Sequence, residues 1–333
     1  MKKFLNDPVN FVDEMLEGIY RAHPELTFVD NDKRCMVTAN IKSGKVGIAT
    51  GGGSGHLPLF LGYIGEGMID GAAVGGVFQS PSSEQMYQVT KAIDQGAGVL
   101  YIYGNYSGDI INFDMAAELA DLDGIAVKQV VGNDDVASSV VGEEHKRRGV
   151  AGIFFVYKAA GAAAANGLSL DEVTRLADKA RLRTRTMGVA LSSCVVPEIG
   201  HATFSIGEDE MEIGMGIHGE PGISRKKLAS ADAVIDELME RIFNEQTYAN
   251  GDEVAVLVNG LGGTPLEELY IMFRRVSQLF DERGVKVKHV WIGEFATSME
   301  MAGASVSVLH LDEELEPLVA ASANTPFFKH LAG

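Results

Sequence analysis

The chain has 333 residues, room for one large domain or two of ordinary size, and 46% of them are apolar types, too many for a disordered chain. Asp and Glu outnumber Lys and Arg by 46 to 28, a formal charge of −18, which argues against a nucleic-acid binder with its basic face. Two cysteines, Cys35 and Cys194, are too few for a disulfide framework, no apolar run reaches the length of a membrane span, and the start MKKFLNDPVNF is a poor signal peptide, so the expected location is cytoplasmic with no membrane partner.

Val9, Phe11, Val12, Met15, Leu16 and Ile19 recur at helical spacing and predict an amphipathic helix over Asp7 to Tyr20, with Asn6 or Asp7 as cap and Pro8 in its first turn. LTFVDNDKRCMVTA reads as short strands and turns. Val46 to Ala49 is a short buried strand that ends in three glycines, Gly51 to Gly53. Glu84 to Gln95 is a helix and Gly98 to Tyr103 another buried strand. GNYSGDIINFDMAAELA is a loop running into a helix, IAVKQVV a third strand and GNDDVA the loop after it. GVAGIFFVYKAAGAAAANG is a helix whose alanine and glycine face permits close packing. Strand, glycine loop and helix in repetition give an α/β fold with right-handed crossovers.

A second region follows the helix-like SLDEVTRLADKARLRTRT. MGVALSSCVVP and ATFSIGEDEMEIGMGIHGEPGI alternate like half-buried strands, and SADAVIDELMERIFNEQ is a helix. DEVAVLVNGLGGTPLEELYIMFRRVSQLFDERG is strand, glycine turn and long helix, with VKVKHVWIGEF and ASVSVLHLD as further strands. The change of pattern lies near residues 180 to 190. It divides the chain into a larger α/β domain at 1–185 and a second at 186–333, without a polar linker between them.

The 39 glycines are about 12% of the chain, where about 7% is usual, and they cluster in short blocks. Gly51-Gly52-Gly53-Ser54-Gly55-His56 follows a buried strand and either forms a nest of N–H groups for an anion or polar ligand, or a tight turn with a surface histidine. It is not a Walker A loop, because no GK[ST] follows. Asp109 in NYSGD stands just past a strand end, where it can take a proton from a hydroxyl, or else it caps the next helix. His218 in GMGIHGEPG sits in flexible backbone, as a base or nucleophile or as a turn residue. Asn259 to Thr264 (NGLGGT) can hold phosphate, pack one domain on the other, or simply turn. His56, His201 and His218 lack metal-ligand spacing, so no metal is expected.

Together these residues resemble the substrate-binding K subunit of the dihydroxyacetone kinases. The matching phrases are GGGSGH at 51–56, GYIGEGM at 62–68, VFQSPSSEQMY at 77–87, NYSGDIINFDMAAE at 105–118, RRGVAG at 147–152, KAAGAAA at 158–164, GIHGEPG at 216–222 and LVNGLGGTP at 257–265. They span nearly the whole chain. The resemblance implies two α/β domains with glycine-rich loops at strand ends and a short ketose bound near their junction. It implies that His218 attacks the ketose carbonyl to form a hemiaminal, that His56 and Asp109 contact the hydroxyls, with Asp109 as general base, and that Gly53 and Ser54 line the pocket. It also implies a homodimer and no cofactor in this chain. A helical L subunit would bind the magnesium nucleotide, either ATP or ADP recharged by a phosphotransferase-system protein. The same family contains a ketose-binding activator of a transcription factor.

Two places depart from the family pattern. Gly104 stands where many dihydroxyacetone-specific members have lysine, and Leu57-Pro58-Leu59-Phe60 stands where they commonly have Glu-Pro-Ala-His. The expected result is a less polar, roomier pocket that admits a four-carbon ketose such as erythrulose.

Overall fold

The computed structural model describes residues 2–202 and 204–332. Met1, Thr203 and Gly333, which fall in the expected domain ranges and, for Thr203, in the expected strand at ATFSIG, lie outside them. The Asp7 side chain accepts from the Val9 amide at 3.0 Å and caps the single 3₁₀ turn that leads into α1 (Phe11–Ala22). Val12, Leu16 and Ile19 form the buried stripe of α1, as their spacing predicts. β1 (Leu26–Val29) and β2 (Asp32–Thr38) pair as an antiparallel hairpin, and its turn residues Asp30 and Asn31 take positive φ, which these two types tolerate well.

β3 (Gly47–Gly53) does not stop before the glycines; it carries Gly51 to Gly53 as its last residues. β4 (Gly71–Gly75) escaped the sequence reading, because GAAVG has almost no strand propensity of its own and forms a strand by pairing with β3 on one side and β2 on the other. α2 (Ser83–Ile93) starts at a capping box between Ser82 and Gln85. β5 (Val99–Gly104), α3 (Ser107–Leu122), β6 (Val127–Gly132), α4 (Ile153–Ala165) and α5 (Leu170–Leu182) complete the first unit. Its sheet has the order β1-β2-β4-β3-β5-β6, with β4, β3, β5 and β6 parallel and β1 and β2 antiparallel to their neighbours.

The second sheet begins earlier than the pattern suggests. β7 (Thr184–Ala190) takes up Thr184 to Thr186, expected as a helix tail, because Thr184 and Thr186 are buried and Thr186 donates a 2.7 Å bond to Ser307 across the ladder. The expected boundary at 185/186 thus falls inside this strand. SSCVVP is loop, not strand. β8 (Glu210–Ile213), β9 (Ser224–Lys227), α6 (Ala231–Glu245), β10 (Glu253–Gly260), α7 (Leu266–Asp281), β11 (Lys286–Glu294) and β12 (Gly303–His310) follow. The order is β11-β10-β12-β7-β8-β9; β10 and β11 are parallel and every other pair is antiparallel. The fold is therefore α/β with two mixed sheets. The short α8 (Leu315–Ala320) and the segment after it return to the first unit, where Phe328 packs edge-on against Phe154 of α4 at 5.1 Å.

α4 is buried along nearly its whole length. Gly161 makes this possible: a Cβ there would stand 2.4 Å from the Met68 carbonyl and 2.5 Å from that of Gly67. Gly161→Ala would gain about 1 kcal/mol of helix propensity. Overpacking against backbone costs about 1–3 kcal/mol, so the clash should win. The expected outcome is a fall of a few degrees in Tm, measured by scanning calorimetry. An unchanged or higher Tm would show that the 67–68 turn gives way.

Candidate active site

Three loops from the two sheets meet at one place, and the first is the segment after β3. None of Gly51, Gly52 and Gly53 has positive φ; each is required by close approach. A Cβ would stand 2.7 Å from the Ala73 carbonyl at Gly51, 2.2 Å from the Phe60 ring at Gly52 and 2.5 Å from the Val77 carbonyl at Gly53. Of the two alternatives for this loop, the nest would need free N–H groups, and Ser54 and Gly55 do not offer them. The amides of Ser54 and Gly55 already donate to the carbonyls of Gly76 and Val77, at 3.0 and 2.7 Å. What the tight packing achieves is to turn His56 inward, where it is fully buried and not on the surface.

His56 Nδ1 lies 2.8 Å from the Thr297 carbonyl oxygen. A carbonyl can only accept, so Nδ1 carries the proton and Nε2 keeps a bare lone pair. Nε2 is buried with no protein partner. Burial first, then the neighbouring His218, pushes the His56 pKa down to about 3, so the ring is neutral. The Thr297 amide returns a bond to the His56 carbonyl at 3.2 Å. NGLGGT explains how that loop is held. Asn259 is buried and binds the Phe295 and Ala296 amides, both at 2.8 Å, and the Ala296 carbonyl at 2.9 Å. A Cβ at Gly262 would stand 1.8 Å from the Met299 carbonyl. These contacts all lie within the second unit, so of the alternatives for this motif a turn fits them; the loop they hold reaches the first unit through the Thr297 and Met299 amides, which donate to the His56 and Gly55 carbonyls.

Asp109 lies in the first turn of α3, but the cap position is Tyr106, so Asp109 is not the helix cap. It is 6% exposed, and its Oδ1 has no protein partner. Burial raises its pKa to about 6, against a hydrogen bond with Ser80 and the nearby His218, which lower it.

His218 lies in the loop between β8 and β9. Its Nδ1 is 2.9 Å from Glu220 Oε1, and its backbone amide donates to Glu220 Oε2 at 3.0 Å. A carboxylate can only accept, so here too the proton is on Nδ1 and the lone pair on Nε2. Burial alone would raise Glu220. Its hydrogen bond with His218, a backbone amide and Arg148 outweigh it and hold the carboxyl at about 2. The His218 ring stands edge-on to His56 and to Tyr106, each with centroids 4.6 Å apart, and to Phe78 at 5.4 Å. Phe78 in turn stacks on His56 at 5.0 Å.

The structure thus brings His56, His218 and Asp109 together, with the buried Ser54 hydroxyl also unpartnered and Gly53 packed behind. His201 does not join them; it is exposed, and its Nδ1 reaches the Ala202 carbonyl. Among the described residues no group of three or more His, Cys, Asp or Glu is placed to hold a metal ion. Sequence reasoning missed Thr297, which carries no motif, and Glu220, which was in plain view two residues from His218. The room expected from Gly104 is filled: a Cβ there would stand 2.9 Å from the Tyr106 ring. Phe60 covers Gly52 and lies 6.1 Å from His56, so its position is also occupied by ring carbon.

No helix among the described residues is long and apolar enough to cross a membrane. A profile of the Dak1 domain family matches residues 17–327. The dihydroxyacetone-binding subunit DhaK of PTS-dependent dihydroxyacetone kinase 2 from Listeria innocua serovar 6a is 48% identical over 331 residues, 99% of each chain. The D-erythrulose kinase of Mycolicibacterium smegmatis is 42% identical over 99% of this chain, which spans 57% of that protein. The crystal structure of the dihydroxyacetone kinase from C. freundii with AMP-PNP and Mg2+ superposes with a TM-score of 0.91 at 31% identity, over 99% of this chain and 61% of that one. With its fold, its motifs and these relatives in agreement, the chain belongs to the Dak1 family of dihydroxyacetone-kinase substrate-binding subunits.

Proposed function

We propose that this chain captures a short ketose between the loops of its two sheets and presents its terminal hydroxyl for phosphorylation. The observation that carries this reading is a pair of buried, unpartnered acceptors, His56 Nε2 and Asp109 Oδ1, beside a histidine whose own Nε2 lone pair is free. Bare acceptors suit hydroxyl donors, and an imidazole lone pair suits an electrophilic carbonyl carbon. His218 Nε2 bonds to C2, the carbonyl π pair moves to its oxygen, and that oxygen takes a proton from solvent. An alcohol such as glycerol has no such carbon and is not retained. His56 and Asp109 accept from the hydroxyls, and Asp109 takes the proton of the hydroxyl that attacks phosphorus.

The phosphoryl group would come from a second, helical L subunit carrying the magnesium nucleotide. No P-loop occurs in this chain, and its Listeria relative is a binding subunit of the same length. Either ATP or ADP recharged by a phosphotransferase-system protein would serve. We place the assembly in the cytoplasm and the chain in a homodimer. Dihydroxyacetone is the substrate placed first, because the Tyr106 and Phe60 rings take up the space expected from Gly104 and Leu57 to Phe60. A four-carbon ketose is the second reading, favoured by the 42% identity to the D-erythrulose kinase.

The purified chain is expected to give no turnover with MgATP and ketose, and to turn over once an L subunit and its donor are added. Assays with dihydroxyacetone and both erythruloses rank the substrates. Turnover by the chain alone would overturn the two-subunit reading. Ketose binding without turnover under either donor would make the chain a sensor.

A further inference from the structure

We propose that Glu220 fixes the nucleophilic tautomer of His218 and balances the positive charge its ring acquires in the ketose adduct, with Arg148 and Asp135 holding Glu220 in place. The inference rests on the hemiaminal reading.

Glu220 uses its two oxygens differently. Oε2 accepts from the His218 backbone amide at 3.0 Å, which ties the turn. Oε1 faces the ring nitrogen at 2.9 Å. A residue serving only as a turn cap would need the first contact alone. The second decides which ring nitrogen carries the proton, and so which one attacks. When Nε2 bonds to carbon, the ring becomes an imidazolium that still holds its Nδ1 proton. An anion on that proton stabilises the adduct, and a neutral group in its place would leave the charge unbalanced.

The support behind Glu220 runs inward from the partly exposed Arg148 to the buried Asp135. Arg148 Nη1 stands 3.9 Å from Glu220 Oε2. The same guanidinium makes 2.8 Å contacts to Asp135 Oδ2 and a 2.9 Å bond to the Gly214 carbonyl, within the loop region that carries His218. Asp135 is 3% exposed, and its other oxygen accepts from the Ala137 amide at 3.0 Å. Gly216 leaves the passage open: a Cβ there would stand 2.1 Å from Glu220 Oε2 and 2.5 Å from Arg148 Nη1. Among the described residues, the charged and titratable groups around the ring come from four segments. Glu220 is on its own loop, Arg148 and Asp135 are on the segment after β6, Tyr106 and Asp109 are at the start of α3, and His56 follows β3. Of these, Glu220 alone accepts from the ring at hydrogen-bond distance.

The test uses the full chain with 2-¹³C-labelled dihydroxyacetone, read by ¹³C NMR as loss of the carbonyl signal, and ¹⁵N-histidine NMR for the ring tautomer. In Glu220→Gln the adduct's association constant is expected to fall roughly 10²-fold or more, and His218 should leave its single Nδ1–H tautomer. Glu220→Asp, which keeps both acceptor oxygens, should recover part of both signals. An unchanged adduct and tautomer in Glu220→Gln overturn the inference. If the unsubstituted chain forms no adduct, the hemiaminal reading fails first, and the two failures are told apart by that control. Should Glu220→Gln not fold, Arg148→Gln reads the same two signals with the carboxylate in place but unsupported. A tautomer as fixed as in the parent chain would then remove Arg148 from the device.

Discussion

Replacing His218 with alanine is expected to abolish the ketose adduct and to lower kcat/KM by roughly 10³-fold or more, since capture on the protein replaces a weak hydroxyl-only encounter by a held, oriented one. The size of the effect follows from what the remaining site can do. His56 Nε2 and Asp109 Oδ1 would still accept from hydroxyls, but any polyol of similar size offers the same donors. On the proposed mechanism, selection of a ketose over glycerol therefore rests on the bond to C2. In His218→Ala the affinities for dihydroxyacetone and glycerol should converge, and titration calorimetry with both ligands measures this directly. The labelled-carbon spectrum should show free carbonyl alone. The ring is partly exposed, so its loss should cost little stability, and folding can be checked by calorimetry on the same samples. A variant that still excludes glycerol, or still converts the labelled carbonyl, would remove His218 from its proposed role.

What the sequence could convey about this site depended on how local the physics is. His218 and Glu220 are two residues apart, and their pairing is written in GIHGEPG, although it takes the geometry to see that one oxygen goes to backbone and the other to the ring. The glycines at 51–53 stand beside His56 for a different reason than expected. They allow a ring and two carbonyls to press against β3, and no string of residues states which neighbour will arrive. β4 was hidden because GAAVG becomes a strand through pairing with β2 and β3, not through its own preference. Thr297 was hidden more deeply. It acts through its carbonyl oxygen, which every residue has, on a histidine 241 positions away. Gly104 taught the opposite lesson: a missing side chain is not an empty volume, because Tyr106 moves into it.

Asp109→Asn should separate function from stability in a way that a damaged fold cannot imitate. If Asp109 takes the proton of the attacking hydroxyl, asparagine removes that base, and kcat should drop roughly 10²-fold or more while the His218 adduct still forms. In the parent chain the base must be ionised, so kcat should fall as the pH drops below about 6, the value to which burial raises this carboxyl. The variant should lack that limb. Stability runs the other way. The folded-state pKa of about 6 exceeds the ordinary 3.8, so the folded chain holds this proton more tightly than the unfolded chain. Folding is therefore unpenalised below about pH 4, loses stability as the pH rises from there through 6, and carries the whole cost above it, on the order of 2–3 kcal/mol. Asparagine has no charge to bury and relieves that cost. Asp109→Asn should thus melt higher than the parent at pH 7.5 and at nearly the same temperature at pH 4, with activity lost at both. Undiminished kcat would take the base role away from Asp109. Lost activity together with a lower Tm at pH 7.5 would mean that the buried carboxylate is held by partners strong enough to outweigh its desolvation, and that its part in the site is structural.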